Sequence, residues 1–473
     1  MKKTVCFIAN VLVISVMMTN MVSGQAKIKA YFTNPVNNSL STGVNAVYLP
    51  SGSMADTIVA YIKRAKYSID IAQYDYNQDT YSGAYANIAA AVDTAYAHGL
   101  TVRWIHDGAA SNGGLALLNP GIHTLGNPST SSGIMHNKFI IIDANSSNAN
   151  DPILCTGSED WSSTMFYHDY NNIIFIQDSA LAKAYTAEFN MMWGSTTAVP
   201  NATAAKFGTA KTDIGMHTFT IAGHTVELYF SPTDNPDSHI ASTINSANKD
   251  LYVGVYDMTR TGDAYNIVGR KTAGVYTLAV VDQYTPTTSS AVNGILTAGL
   301  PGHYVVYSGS YIYHNKMMVV DPSDTCSDPI VEMGSENWTS SGTNYNDENI
   351  LIIHNDTLAN IYYQSIIADY TAIGGGSFVA PNGICGGSMT TGLQETASVP
   401  TACSVYPNPT TGLLTVEASE VINDVAVSNL LGQRVYVASH LGSTTTQIDL
   451  SGIAAGIYLV RVNNGAVTKL VKE

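Results

Sequence analysis

The chain has 473 residues, enough for two to four domains. Its 21 Lys and Arg stand against 36 Asp and Glu, a formal net charge of −15, which argues against a broad electrostatic grip on nucleic acid. Only 12 % of residues are charged, Tyr (29) and Gly (39) are plentiful, and 45 % are hydrophobic, a composition that suits a folded extracellular protein and excludes a disordered one.

Taken in order, the chain opens with Lys2 and Lys3, an apolar run over about residues 5–18, and the small residues Val22-Ser23-Gly24 ahead of Gln25. This reads as a secretory signal over 1–24, too short for a spanning helix and removed on export. Cys6 leaves with it, while Cys155, Cys326, Cys385 and Cys403 remain. None forms a C-x-x-C pair or a Cys/His cluster of metal-ligand spacing, so neither a metal nor another cofactor is expected. Cys385 and Cys403 flank a linker and are the best candidate disulfide; Cys155 sits in a buried-strand pattern.

Strand and helix patterns alternate from residue 44 onward. Strands are expected at 46–49, 68–72, 100–105 and 173–176, and helices at 55–66, 84–98 and 180–193, with a long polar loop over 107–132. The same order returns in the second half, with strands at 227–232, 250–256, 277–281 and 349–353 and helices at 238–247, 265–270 and 358–370. The fold class implied is α/β in two pseudo-symmetric αβα lobes, over 25–212 and 213–373. Residues 374–402 are a Gly-, Ser- and Thr-rich linker. Residues 403–473 carry short β patterns broken by turn signals, which suggests a small C-terminal β-sandwich.

One stretch occurs once in each lobe. His136-Asn137-Lys138, four apolar residues and Asp143 lead to Gly157-Ser158-Glu159-Asp160-Trp161; His314-Asn315-Lys316, four apolar residues and Asp321 lead to Gly334-Ser335-Glu336-Asn337-Trp338. Chance predicts H-x-K-x4-D roughly 0.04 times in such a composition, so an internal duplication is the economical reading. On a strand, His136 and Lys138 share a face, as do His314 and Lys316. Asp143 and Asp321 fall at the strand ends, where they serve as structural organisers. Two such half-sites packed together supply two imidazoles and two ammoniums, which suit a phosphodiester. One imidazole attacks phosphorus and the other protonates the leaving oxygen, with the lysines, Ser158 and Ser335 stabilising the phosphate.

H-x-K-x4-D followed by G-S-x-N resembles the phospholipase D superfamily in its two-motif form, over residues 44–372. The resemblance implies a metal-independent hydrolase with His136, Lys138, His314 and Lys316 at its core. It also implies phosphate contact or support by Asn337, and a carboxylate, Glu348, that orients a catalytic His. The first lobe departs from the pattern: Asp160 stands where Asn is expected, and Asn171 stands where lobe two has Glu348. Asp160, or Asp169, is therefore expected to orient a His. The C-terminal module, with Tyr406-Pro407-Asn408-Pro409 and Gly456-Ile457-Tyr458-Leu459-Val460, resembles the sorting domain of the type IX secretion system. That implies the secretion machinery as a partner, no other stable protein partner, and a secreted or outer-membrane-surface location. The expected substrate is a phospholipid or another phosphodiester. The alternatives are an extracellular nuclease, with nucleic acid as substrate, and a non-catalytic phosphate-binding member. Tyr74, Tyr76, Tyr81 and Tyr85 are candidates to line a cleft or meet a lipid surface.

Overall fold

The computed structural model describes residues 27–77, 84–131, 133–376, 378, 403–429, 434–463 and 467–473. The signal region, Tyr81, Cys385 and most of the linker lie outside the described residues. The chain divides into two compact units, the first ending at Gly387 and the second beginning at Ser388.

The first unit holds two sheets. Lobe one contributes β1 (Ile28–Phe32), β2 (Ser68–Gln73), β3 (Thr101–His106), β4 (His123–Gly126), β5 (Lys138–Ile142), β6 (Ile153–Gly157) and β7 (Asn172–Ile176). They lie in the order β1-β7-β6-β5-β2-β3-β4. Its helices are α1 (Ser53–Ile62), α2 (Ala84–Ala97), the short α3 (Ser163–Tyr167) and α4 (Ser179–Trp193). Lobe two contributes β8 (Thr218–Ile221), β9 (His224–Ser231), β10 (Asp250–Val255), β11 (Tyr276–Asp282), β12 (Tyr304–Tyr307), β13 (Lys316–Val320), β14 (Ile330–Gly334) and β15 (Glu348–His354). Its order is β12-β11-β10-β13-β14-β15-β9-β8. The helices are α5 (Pro236–Ser246), α6 (Thr261–Thr272), α7 (Tyr284–Thr288), α8 (Ser290–Gly299), α9 (Ser340–Asn344) and α10 (Asp356–Ala372).

The central strands are β5 and β13, and both are buried on two faces, as their continuous apolar runs require. Phe139 and Ile141 of β5 join α4, Met317 and Val319 of β13, and α10 in one core that runs between the lobes. Ile140 and Ile142 face the other way, against α1 and α2. His136 and Lys138 have the parity of Ile140 and Ile142, and it is their place at the N-terminal end of β5 that lets His136 meet Glu348 of lobe two.

Two expectations change in detail, the edge strand and the long loop of lobe one. The edge strand of lobe one is Ile28–Phe32, antiparallel to β7, while residues 46–49 supply only a single bridge from Tyr48 to Phe32. Pro50, which has no amide to extend a ladder, stands two residues beyond that bridge. The loop over 107–132 contains β4, which pairs parallel with β3. Cys155 is a buried free thiol, and Cys326 is disulfide-bonded.

The second unit is a five-stranded antiparallel sheet: β16 (Cys403–Tyr406), β17 (Leu413–Asn429), β18 (Arg434–Asp449), β19 (Gly456–Val462) and β20 (Val467–Lys472). The short strands expected at 414–416 and 424–428 are one long strand, β17, whose pairing with β18 shifts register between Glu417 and Asp424. Such irregularities bend a strand, so the sheet curls around Val416, Val425, Val427 and Val460 into a nearly closed barrel.

Candidate active site

Each repeated stretch enters its strand through the opposite lobe. The His136 amide donates to the Asp347 carbonyl at 3.0 Å, and the His314 amide donates to the Tyr170 carbonyl at 3.0 Å. The residues that follow those carbonyls then reach the imidazoles. His136 Nδ1 donates to Glu348 Oε2 at 2.7 Å. His314 Nδ1 donates to Asn171 Oδ1 at 3.0 Å. Glu348 of lobe two therefore serves the histidine of lobe one, and Asn171 of lobe one serves the histidine of lobe two.

The middle residue of each H-N-K locks this exchange. Asn349 Nδ2 donates to Asn137 Oδ1 at 2.9 Å, and Asn172 Nδ2 donates to Asn315 Oδ1 at 2.8 Å. Thr156 and Tyr185 donate to Asn349 Oδ1, and Tyr362 donates to Asn172 Oδ1. All four Asn are buried, so each bond carries a desolvation penalty if broken. Sequence reasoning missed these four; the only available signal was an Asn at the same place in both copies.

The strand ends use the conserved geometry of the two copies differently from the active face. Asp143 adopts φ +55° and accepts the amides of Lys66, Tyr67 and Ser68; Asp321 adopts φ +51° and accepts those of Asn248, Lys249 and Asp250. Neither approaches the histidines. Gly157 and Gly334 stand where a Cβ would lie 2.2 Å from the Asn172 carbonyl oxygen and 2.1 Å from that of Asn349. The close approach of β6 to β7, and of β14 to β15, is what requires glycine there.

Ser158 and Ser335 are not free phosphate donors. Each hydroxyl has one proton, and Ser335 gives it to Glu348 Oε2 at 2.8 Å while Ser158 gives it to Asn171 Oδ1 at 2.8 Å. They hold the groups that hold the imidazoles. Asn346 Nδ2 adds a 3.1 Å bond to the other Glu348 oxygen.

Asp160 does not orient a histidine. Asn171 occupies the Nδ1 side of His314, and Asp160 lies on the Nε2 side, with Oδ2 at 3.7 Å, outside hydrogen-bond reach. Its Oδ1 instead pairs with Lys138 Nζ at 2.9 Å. Asp169 is also committed elsewhere, accepting the Ile312 amide. Asn337, the counterpart of Asp160, has a buried Oδ1 without a partner among the described residues. Lys138 and Lys316 each donate back to the carbonyl of their own histidine, at 2.9 and 2.8 Å. They sit under the rings of Tyr74 and Tyr256, which also contact His136 and His314. Of the other tyrosines expected at a cleft, Tyr76 is fully buried against Trp104 and Trp161.

The electrostatics of the two imidazoles differ. Burial and the positive charges of Lys316, Lys138 and His136 hold His314 well below the ordinary imidazole range, so it stays neutral. Burial raises Glu348, but the His136 and Lys138 charges and the bonds from His136 and Ser335 outweigh it and leave the carboxyl below its usual value. Glu348 is thus ionised beside His136. Burial, with repulsion from Lys138, also lowers Lys316. Asp75 is pushed up to about 8 by burial and by the Asp160 charge, against the pull of Lys138.

Residues 58–193 and 240–369 match the family model described as cardiolipin synthase, PLD-like domain, and together these segments cover more than half of the chain. The chain belongs to the phospholipase D superfamily. Residues 404–473 match the secretion system C-terminal sorting domain, which marks this family member for type IX secretion to the cell surface or beyond. A 63-residue segment is 35 % identical to the mitochondrial cardiolipin hydrolase of Xenopus laevis; it makes up 13 % of this chain and spans 27 % of that relative's length. The phosphatidylserine synthase of Haemophilus influenzae Rd KW20 shares the fold, with a TM-score of 0.50, 14 % identity, and coverage of 74 % of this chain and 89 % of that one. No helix among the described residues is long and apolar enough to cross a membrane.

Proposed function

We propose that this superfamily member is a secreted phosphodiesterase that hydrolyses a phospholipid headgroup ester through a phospho-histidine on His314. The observation that carries the reading is the unequal support of the two imidazoles: an amide behind His314 and an ionised carboxylate behind His136. With Nδ1–H given to Asn171, His314 presents the Nε2 lone pair, as a nucleophile must. Beside the ionised Glu348, His136 is suited to carry the proton that the leaving oxygen takes.

In the first step, Nε2 of His314 bonds to phosphorus, the bond to the leaving oxygen breaks, and that oxygen takes a proton from His136. Water then attacks the phosphoryl group, gives its proton to the now neutral His136, and frees His314. Lys138 and Lys316 stabilise the equatorial oxygens in both steps. Asn337 joins them at the phosphate. A phospholipid is the preferred substrate because a chain of charge −15 gains little from the polyanionic backbone of nucleic acid. The N-terminal signal is removed before the sorting domain engages the type IX machinery.

Release of free headgroup from mixed phospholipid liposomes, run beside degradation of plasmid DNA, tests the substrate. Headgroup release with intact plasmid is expected. Plasmid loss alone supports the nuclease reading, and silence in both supports a phosphate-binding protein.

The Asp160 carboxylate occupies the ground between Lys138 and His314 Nε2 that an anionic substrate needs. Asp75 is neutral below about pH 8 and charged above it, so a second negative charge arises near Lys138 at alkaline pH. Wild-type kcat/KM is therefore expected to fall above about pH 8. Asp160→Asn should raise kcat/KM at pH 9 by about 3- to 10-fold and weaken that decline. Identical alkaline profiles for the two proteins would remove Asp160 from this role.

A further inference from the structure

The approach to His136 rests on a buried cation that belongs to neither repeated stretch. Lys211 follows the short 3-10 turn Gly208–Ala210 on the connection between α4 and β8. Its side chain is buried, and so are those of its two carboxylate partners, Glu188 of α4 and Asp347 of lobe two. An ammonium has three protons, and Lys211 has an acceptor for each: Glu188 Oε1, Asp347 Oδ1 at 2.8 Å and the Ser231 carbonyl at 2.8 Å. Burial alone would lower its pKa, but the Asp347 and Glu188 charges outweigh burial, so the ammonium stays charged. The Gly208 amide donates to the same Asp347 oxygen at 2.7 Å. The connection therefore grips Asp347 twice, once by charge and once by backbone.

Two routes lead from this cation to His136. The first is Asp347 itself, whose amide donates to the Ile134 carbonyl at 2.9 Å and whose carbonyl accepts the His136 amide at 3.0 Å. The second runs through Ser231. Its carbonyl accepts from Lys211, and its hydroxyl donates to the Asn346 carbonyl at 2.8 Å. The Asn346 side chain in turn donates to Glu348 Oε1. Both routes end on residues 346–348, and Glu348 is the group that holds His136 Nδ1–H.

The support of His314 is built from other material. Tyr170 stands where Asp347 stands, with its amide on the Ile312 carbonyl at 2.9 Å and its carbonyl accepting the His314 amide. Its side chain is a neutral ring packed against those of Tyr307 and Tyr313. An ionic clamp thus serves His136, and an aromatic cluster serves His314.

We infer that Lys211 is a positioning residue for His136: through Asp347 and Ser231 it fixes residues 346–348, and with them the carboxylate and the backbone carbonyl that hold the imidazole in place. The inference rests on the reading of His136 as the proton donor, because its effect on the reaction passes through that imidazole. Misplacing a catalytic group by about 1 Å from a distant site can cost about 10²-fold.

The test is kcat and KM of Lys211→Met on one alkyl and one nitrophenyl phosphodiester. The alkyl kcat should fall by about 10- to 100-fold and the nitrophenyl kcat by less than about threefold, with both KM values within about twofold of wild type. A merely structural defect would slow the two substrates alike. Asp347→Asn keeps an acceptor for the Gly208 amide and removes the charge, and it carries the test if Lys211→Met does not fold. It should show the same selectivity, with a loss of about 3- to 10-fold on the alkyl diester. Adding either substitution to His136→Ala should change the alkyl rate by less than about twofold, because the imidazole being positioned is gone. If His136→Ala alone is selective for the alkyl diester, then equal slowing of both substrates, or no slowing, in the Lys211 and Asp347 variants would overturn the assignment. If His136→Ala slows both substrates alike, the proton-donor reading falls, and the combined variants decide the clamp: losses that multiply in full would show that Lys211 does not act through His136.

Discussion

Replacing His314 with Ala is expected to lower kcat for phosphodiester hydrolysis by about 10⁴-fold or more, whatever the leaving group. The imidazole is buried, and its Nδ1 proton is fixed on Asn171, so Nε2 is the one atom that offers a lone pair. Burial and three neighbouring cations hold it neutral well below the ordinary imidazole range. The acidic limb of the kcat/KM profile that belongs to this group should therefore lie below about pH 6.5, the ordinary imidazole value, and no loss should occur on passing through that value from above. Single-turnover rates for His314→Ala against wild type, on one alkyl and one nitrophenyl phosphodiester, measure the effect. A loss that depends strongly on the leaving group would mean that His314 handles the proton instead.

His136→Ala should behave differently on the same two substrates. An alkoxide leaves poorly without a proton, so the alkyl diester should slow by about 10² to 10⁴-fold. Nitrophenolate leaves without help, and its release should slow by less than about tenfold. Glu348→Gln should follow the same pattern more weakly, because Glu348 lies 2.7 Å from Nδ1 and stabilises the charged ring without touching substrate. Equal losses on both substrates for His136→Ala would contradict its role as proton donor. The pair of variants thus separates the two histidines by the substrate they fail on.

Much of this site was legible in the amino-acid order because its key residues repeat at short range. Side chains two apart on a buried strand share a face, so His136 with Lys138 and His314 with Lys316 follow from alternation alone. The two lobes follow from collinear copies. What did not follow was which lobe supports which histidine. The bond from His136 to Glu348 joins residues 212 apart, and that from His314 to Asn171 joins residues 143 apart. Only the packing of one sheet against the other sets those pairs. The serines of G-S-E misled for a related reason: a hydroxyl near a phosphate site and a hydroxyl bonded to a buried carboxylate look alike in sequence. Asp160 misled because it stands where lobe two has an amide while Asn171 stands where lobe two has Glu348, an exchange that suggests an orienting carboxylate, whereas Asp160 pairs with Lys138 Nζ. The edge strand of lobe one was placed too late because residues 46–49 carry the apolar pattern, and Ile28–Phe32 pairs with β7 in their stead.

With an amide behind His314 and a carboxylate behind His136, the proposed nucleophile is His314. The most direct test is a rapid alkaline quench of wild type during turnover of a soluble phosphodiester, followed by peptide mass spectrometry. A phosphoryl adduct is expected on the peptide that carries His314 and none on the peptide that carries His136. An adduct on His136, or turnover with no adduct on either histidine, would contradict it.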